Sequence, residues 1–286
     1  MNLCRFSLKN SPMRVGLIEG QHVIDLSSEG CVSLTELLEA KDIAAAVQRF
    51  TRRDPRRLLL SDPDVKLLPP VDRQEIWAVG VTYLRSKTAR MEESDFSATA
   101  YDRVYDAPRP ELFFKSMPEK AVGTGDQVGI RSDAKWNVPE PELALVLNSR
   151  GELAGFTIGN DMSSRDIEGE NLLYLPQAKI YDRACAVGPW ITAGVSETAA
   201  RTWAIQITIS RGGAAVFNGE VNVSQIKRGF QDLIGYLFRS QQFPHGAILL
   251  TGTGVVPANE FTLAPGDRVK ITISGIGTLE NEVVVV

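Results

Sequence analysis

Histidine is nearly absent: His22 and His245 are the only two in 286 residues. His22 lies close to the N-terminus and His245 follows Pro244 in a loop-like stretch. A Ser-His-Asp or Cys-His mechanism would hang on His245 alone. Proton transfer falls instead to Glu, Asp, Lys or Tyr. Cysteine is scarce too. Cys4, Cys31 and Cys185 are odd in number, widely spaced and without a CxxC pair, which argues against a zinc site or a disulfide framework. No run approaches the roughly 20 apolar residues of a membrane-spanning helix. The opening MNLCRFSLKN lacks the apolar core of a signal peptide, so the expected setting is cytoplasmic, with no membrane partner. Positive charge is not in excess either. Lys and Arg number 31 against 35 Asp and Glu, giving a net charge of -4 and a chain ill suited to nucleic acid. Attraction for an anionic ligand must therefore be local. There is no P-loop, no GxSxG, no HExxH, and no GxGxxG opening a helix after a strand.

What is present is an ordinary globular balance, 43% apolar and 23% charged, which supports a sizeable core without staples. LCRFSL, MRVGLIEG and HVIDLS read as short strands separated by turn residues. Ser33 and Glu36 form a capping box ahead of a helix in LTELLEA, and AAAVQRF continues as a second helix. The basic cluster 49–57, broken by Asp54 and Pro55, reads as a solvated linker, and a basic, Pro-punctuated passage ends at Pro69-Pro70. This places a small N-terminal α/β domain at 1–70 and a larger domain at 71–286. The larger part is rich in β-branched runs: IWAVGV, QVGI, LALVLN, GFTIGND, AIQITISRG, AILLTGTG and RVKITISGIG. Helical stretches are expected over about 85–102 and 224–240. Strands and helices do not alternate, so a doubly wound parallel sheet is disfavoured and an α+β, mainly β architecture is expected.

One acidic segment stands out. In WNVPEPELALVLN, Glu140 and Glu142 are two residues apart at the head of an apolar run. In a strand they face the same side, roughly 6.6 Å apart, and could converge on one cation. The same spacing also fits two exposed glutamates on an edge strand. In GFTIGNDMSSRDIEGEN, Asp161 closes a strand-like run and would supply a third oxygen ligand. Such a set suits Mg2+, Mn2+ or Ca2+. Arg165 and Asp166 are read as residues that support the metal ligands or are structural, although a surface pair fits equally well.

Taken together, PEPELALVL, NDMSSRD, the Gln-Ala-Lys of YLPQAKIYD, the Phe-Phe-Lys of RPELFFKSMP and the late TGTG turn resemble the fumarylacetoacetate hydrolase superfamily over about residues 75–286. YDRVYDAPRPELFFK and ENLLYLPQAKIYD are most similar to its 2-dehydro-3-deoxy-D-arabinonate dehydratase branch. The resemblance implies a mixed β-sandwich roll with a small N-terminal domain. It implies a homo-oligomer, dimer or tetramer. It places the metal on Glu140, Glu142 and Asp161, and a catalytic pair on Glu111 and Lys179. Lys115 and Thr253 are then candidates for binding the carboxylate of a 2-oxo acid substrate. Without the resemblance, Glu111 and Lys179 read equally as a loop glutamate and a surface lysine.

The implied reaction is dehydration of a 2-dehydro-3-deoxy sugar acid through an enolate, with Glu111 and Lys179 sharing the proton transfers. An acylpyruvate-type C–C hydrolase or a 2-oxo diacid decarboxylase on the same metal is the alternative. The hydrolases of this superfamily carry a lid histidine, and GVTYLRSKTARMEES has none. Lys87, Arg90, Glu92 and Glu93 of that stretch are candidates for shaping a lid.

Overall fold

The N-terminal segment is built of short strands with consecutive buried residues. A computed structural model describes the chain except residues 10, 53–54 and 85–103, so the helix expected over 85–102 and the residues Lys87, Arg90, Glu92 and Glu93 lie outside the described residues. Strands β1 (Asn2–Leu8), β2 (Arg14–Glu19) and β3 (His22–Asp25) form an antiparallel meander. Helices α1 (Leu34–Leu38) and α2 (Ile43–Thr51) follow, with the Ser33 hydroxyl accepting from the Glu36 amide as a cap should. The cluster read as a linker begins inside α2 and ends on β4 (Arg57–Leu59), which pairs with β3, and the Pro-punctuated passage after it holds β5 (Val65–Leu68), which pairs with β1.

The rest of the chain supplies β6 (Glu75–Gly80), β7 (Glu111–Ser116), β8 (Gln127–Ile130), β9 (Asn137–Val138), β10 (Pro141–Leu147), β11 (Leu153–Asp161) and β12 (Ser163–Ser164). Then come helices α3 (Arg165–Glu170) and α4 (Leu175–Lys179), β13 (Cys185–Ala193), helix α5 (Glu197–Ala200), β14 (Ala204–Arg211) and β15 (Ala214–Asn222). Helix α6 (Phe230–Leu237), β16 (Ala247–Leu250), β17 (Arg268–Ile273) and β18 (Gly277–Val285) complete it. The fold is mainly β, as expected. An 11-stranded sheet runs β4-β3-β2-β1-β13-β11-β10-β16-β6-β7, with β5 joined to β1, and a five-stranded sheet runs β15-β14-β17-β18-β8. Pairing is antiparallel except for β16 with β6 and β18 with β8.

The large sheet is covered on both faces, and β10 shows why. Every one of its residues is buried. Leu143, Leu145 and Leu147 face the five-stranded sheet, packing with Ile205, Ile207, Val269 and Ile271. Ala144 and Val146 face the other way, toward Leu34, Leu37, Ala46 and Val47 of the N-terminal helices. A strand buried on both faces reads as a continuous apolar run rather than an alternating one, which is what LALVL presents.

Helix α6 is shorter than the stretch 224–240 suggested. Gly229 is its N-cap and Val223–Gln225 forms a separate 3-10 turn, so Ile226 is buried from outside the helix. Phe230, Leu233, Ile234 and Leu237 make the inward stripe. Phe156 of β11 anchors this side, edge-on to Trp203 at 5.4 Å and tilted against Phe230 at 5.9 Å. Phe156→Ala is expected to cost about 3–5 kcal/mol, the range for emptying a buried aromatic site. Chemical denaturation would show it as a lower midpoint with an unchanged slope.

Candidate metal and catalytic site

The site is the polar end of an apolar row. On β10, Ala144 and Val146 face the N-terminal helices, and period two carries that row onward to Glu142 and Glu140. Glu142 stands opposite Gly159 of β11, and the Asp161 amide donates to the Glu140 carbonyl at 3.0 Å. Opposed residues share a face of a sheet, so Asp161 joins the two glutamates. One carboxylate oxygen of each lies within 4.8 Å of the others, and all three side chains are buried. The edge-strand reading of the glutamates is thereby excluded. Pro141 sits at the strand start, where a missing amide costs no ladder bond.

Three cations contact these carboxylates. Lys179, at the end of α4 and fully buried, donates to Glu140 Oε2 at 2.7 Å, to Asp161 Oδ2 at 2.9 Å and to Ser163 Oγ. Arg165, 2% exposed, donates to Glu140 Oε1 at 2.7 Å, so it is no surface residue. Lys115 pairs with Asp161 Oδ1 and donates to the carbonyls of Met162 and Lys179. Its three hydrogens are thus committed and it does not line the cavity, which puts a substrate carboxylate out of its reach in this arrangement. Asp166 lies apart from the cluster and accepts from the Lys135 amide at 2.6 Å.

Glu142 is held differently. The Gly252 amide donates to its Oε2 at 2.6 Å, from the turn that follows β16. Gly252 has φ +87, and a Cβ there would stand 2.3 Å from Thr82 Oγ1, so only glycine fits. The Thr82 hydroxyl ties the same turn by donating to the Thr251 carbonyl at 2.6 Å. Burial, then the neighbouring Asp161 and Glu140 charges, push the Glu142 carboxyl well above the ordinary 4.5.

The cavity over these groups is lined by Gly80, Phe113, Lys179, Gly252 and Thr253 together with the three carboxylates, and by neither histidine. The Thr253 hydroxyl is engaged in its own turn, donating to the Val255 carbonyl at 3.1 Å. Glu111 opens β7 opposite Gly80 and its carboxylate lies over that glycine. Phe113, two residues on, shares its face, and its ring lies 5.8 Å from Lys179 Nζ. The nearest thiol, Cys185, is opposite Asp161; burial pushes it up to about 12, so it stays protonated and is no nucleophile. Of the residues singled out from sequence, the structure gathers Glu140, Glu142, Asp161, Lys179 and Thr253 around one cavity. It sets Glu111 at the cavity's glycine wall and Lys115 against Asp161. Arg165 takes the supporting place expected of it, against Glu140, while Ser163 and Gly252 join the site without having been singled out for it; only the NDMSSRD and TGTG segments signalled them.

The architecture is that of a known class. The fumarylacetoacetate (FAA) hydrolase C-terminal family matches residues 75–284, and this chain belongs to that family. Within it, the chain is 38% identical over 286 residues to the 2-dehydro-3-deoxy-D-arabinonate dehydratase of Saccharolobus solfataricus, covering 98% of this chain and 95% of that one. It is 49% identical over 217 residues to a probable 2-keto-3-deoxyxylonate dehydratase of Haloferax volcanii, covering 76% of this chain and 74% of the relative. A solved 2-keto-3-deoxy-D-arabinonate dehydratase complexed with magnesium and 2,5-dioxopentanoate superposes with a TM-score of 0.83 at 35% identity, over 100% of this chain and 99% of that one.

The raised Glu142 carboxyl gives a signed expectation for the metal-free protein. The folded state keeps that proton at pH values where the unfolded chain, with its ordinary carboxyl near 4.5, has lost it. Native protein then binds more protons than unfolded, so this contribution to stability falls as pH rises from about 4.5 through the raised value. A divalent cation must displace the same proton. Titration calorimetry of Mg2+ in two buffers of different ionisation enthalpy is expected to show proton release, with affinity weakening as pH falls. Binding with no proton exchange at any pH in that window would refute the assignment.

Proposed function

We propose that this protein is a metal-dependent hydro-lyase that removes water from a 2-dehydro-3-deoxy sugar acid, such as 2-dehydro-3-deoxy-D-arabinonate, to give 2,5-dioxopentanoate. One observation carries the reading: three buried carboxylates share a sheet face with Glu111 and meet the helical Lys179, in a chain aligned almost end to end with a dehydratase. Glu140, Glu142 and Asp161 fit a hard divalent cation, because they are oxygen donors only, are buried, and converge within 4.8 Å. Mg2+ is the proposed ion, and bound there it supplies Lewis-acid polarisation of the 2-oxo group.

The chain's own residues do the rest. Lys179 Nζ touches two of the three carboxylates that would hold the ion, and in its neutral form it would take the proton from C3, the carbon beside the 2-oxo group. Glu111 lies at the Gly80 wall and serves C4, one carbon further out, delivering the proton with which the C4 hydroxyl leaves as water. The unsaturated acid then shifts hydrogen from C5 and its hydroxyl to C3 and C4, giving the 2,5-dioxo acid. Arg165 and Lys115 hold Glu140 and Asp161 in place. Thr253 lines the substrate side of the cavity. Phe113 excludes water from the reacting carbons.

Residues 1–70, which precede the family match, are proposed as a small domain bracing the large sheet through the β1–β13 pairing. A homo-oligomer in the cytoplasm is proposed from the family resemblance, and three buried free thiols suit a reducing compartment. Among the described residues no helix is long and apolar enough to cross a membrane.

The test uses 2-dehydro-3-deoxypentonate of either hand at C4, its one stereocentre, with Mg2+ in D2O. The wild type is expected to form the 2,5-dioxo acid from one enantiomer, and a chelator to stop it. Glu111→Gln is expected to lower turnover by roughly 10²–10⁴ while C3 still exchanges hydrogen for deuterium, as read by NMR. Lys179→Met is expected to abolish both. Full turnover by Lys179→Met, or activity that survives exhaustive chelation, would remove the mechanism.

A further inference from the structure

We infer that Gly80 is a positioning residue: its missing side chain is the space in which the Glu111 carboxylate reaches the cavity. The inference rests on the role proposed above for Glu111. Gly80 ends β6 and stands opposite Glu111 of β7 in the antiparallel register. Opposed residues project to the same face, and on this face the next pair down is Ala78 with Phe113. A Cβ built on Gly80 would lie 1.9 Å from Glu111 Oε2, 2.8 Å from its Cδ and 3.5 Å from its Cγ. The Glu111 side chain therefore folds across the strand through the volume that any other residue at position 80 would fill. Gly80 itself lines the cavity over the metal carboxylates, so that path leads the carboxylate to the cavity wall.

Two features separate this glycine from others in the chain. Its φ is not in the left-handed region, unlike Gly252 at +87, so backbone conformation does not require glycine at position 80. The atoms that a methyl would strike belong to one flexible side chain. At Gly155 and Gly246, by contrast, a Cβ would meet backbone carbonyls at 2.8 and 2.0 Å. An alanine at 80 can therefore be accommodated by turning Glu111 away, which leaves the fold intact and misplaces the carboxylate. A misplacement of about 1 Å at a reacting group is enough to cost on the order of 100-fold in rate.

The experiment is a cycle of Gly80→Ala, Glu111→Ala and the double variant, assayed with Mg2+ and 2-dehydro-3-deoxypentonate. Gly80→Ala is expected to lower kcat roughly 100-fold, with Mg2+ affinity and C3 deuterium exchange unchanged, since neither passes through Glu111. The double variant is expected to turn over no more slowly than Glu111→Ala alone, because the methyl then has nothing to displace. Should Gly80→Ala melt early, the double variant, which removes the clash, is expected to regain its melting temperature. Full activity in Gly80→Ala beside a crippled Glu111→Ala would overturn the inference and leave the role of Glu111 standing. Full activity in Glu111→Ala would overturn the proposed mechanism and this inference with it. Additive losses in the double variant, or early melting that Glu111→Ala does not relieve, would give Gly80 a purely structural role.

Discussion

The register between β10 and β11 is the constraint on which the site depends. It sets Glu142 against Gly159 and brings Asp161 beside Glu140. A slip of one residue would turn both glutamates to the opposite face of the sheet, into the apolar layer of Leu143, Leu145 and Leu147. The register is therefore specified twice. Two apolar layers select the parity of β10, and the carboxylates can be buried only where cations meet them. Gly159 contributes by absence: a Cβ there would stand 2.3 Å from Leu250 Cδ2, on the strand that flanks β10 from the other side. Close approach along this row keeps the carboxylates near enough to share one ion.

Burying three carboxylates is unfavourable unless each is matched. Glu140 meets Arg165 and Lys179, and Asp161 meets Lys179 and Lys115. These pairs tie four chain segments together: the ends of β7, β10 and β11 and the run from α3 to α4. Lys115 also donates to the carbonyl of Lys179, so one cation fixes both a carboxylate and the backbone of another cation. The N-terminal strands and helices cover the apolar part of the same sheet face and stop short of the polar end. The cavity is thus the uncovered remainder of a face whose other part is core.

Much of this was legible from local pattern. The i, i+2 spacing of Glu140 and Glu142 and the strand-closing Asp161 pointed to a shared face, because strand period is a local property. Pairing partners are not local, and the sequence alone could not distinguish a buried central strand from an exposed edge. The resemblance, rather than spacing, pointed to Glu111 and Lys179. Arg165 and Asp166 could not be told apart in sequence, because an Arg-Asp pair after a strand reads equally well as a surface feature; only Arg165 is buried against Glu140. Gly80 and Gly252 carried no signal of their own, since what matters is the neighbour each makes room for. Strands β4 and β5 were missed for the opposite reason. They are short, lie at the periphery of the sheet and are flanked by charge, which is how edge strands avoid pairing with other chains.

The uneven matching of the carboxylates bears on what the site is for. Glu140 and Asp161 each meet cations, whereas Glu142 accepts from the neutral Gly252 amide, and its carboxyl is the one pushed upward. A cluster serving stability alone would leave no such member, because a protonated buried acid gains little from its neighbours. With that proton in place, two anions face three cations, a formal excess of one positive charge. A divalent ion replacing the proton on Glu142 would leave the cluster positive, and a 2-oxo acid monoanion followed by the charge that develops as a C3 proton departs would bring it back toward neutral. Interactions that strengthen only as that charge appears are the ones that lower a barrier. The site is thus built to be incomplete by the amount of charge its proposed reaction creates.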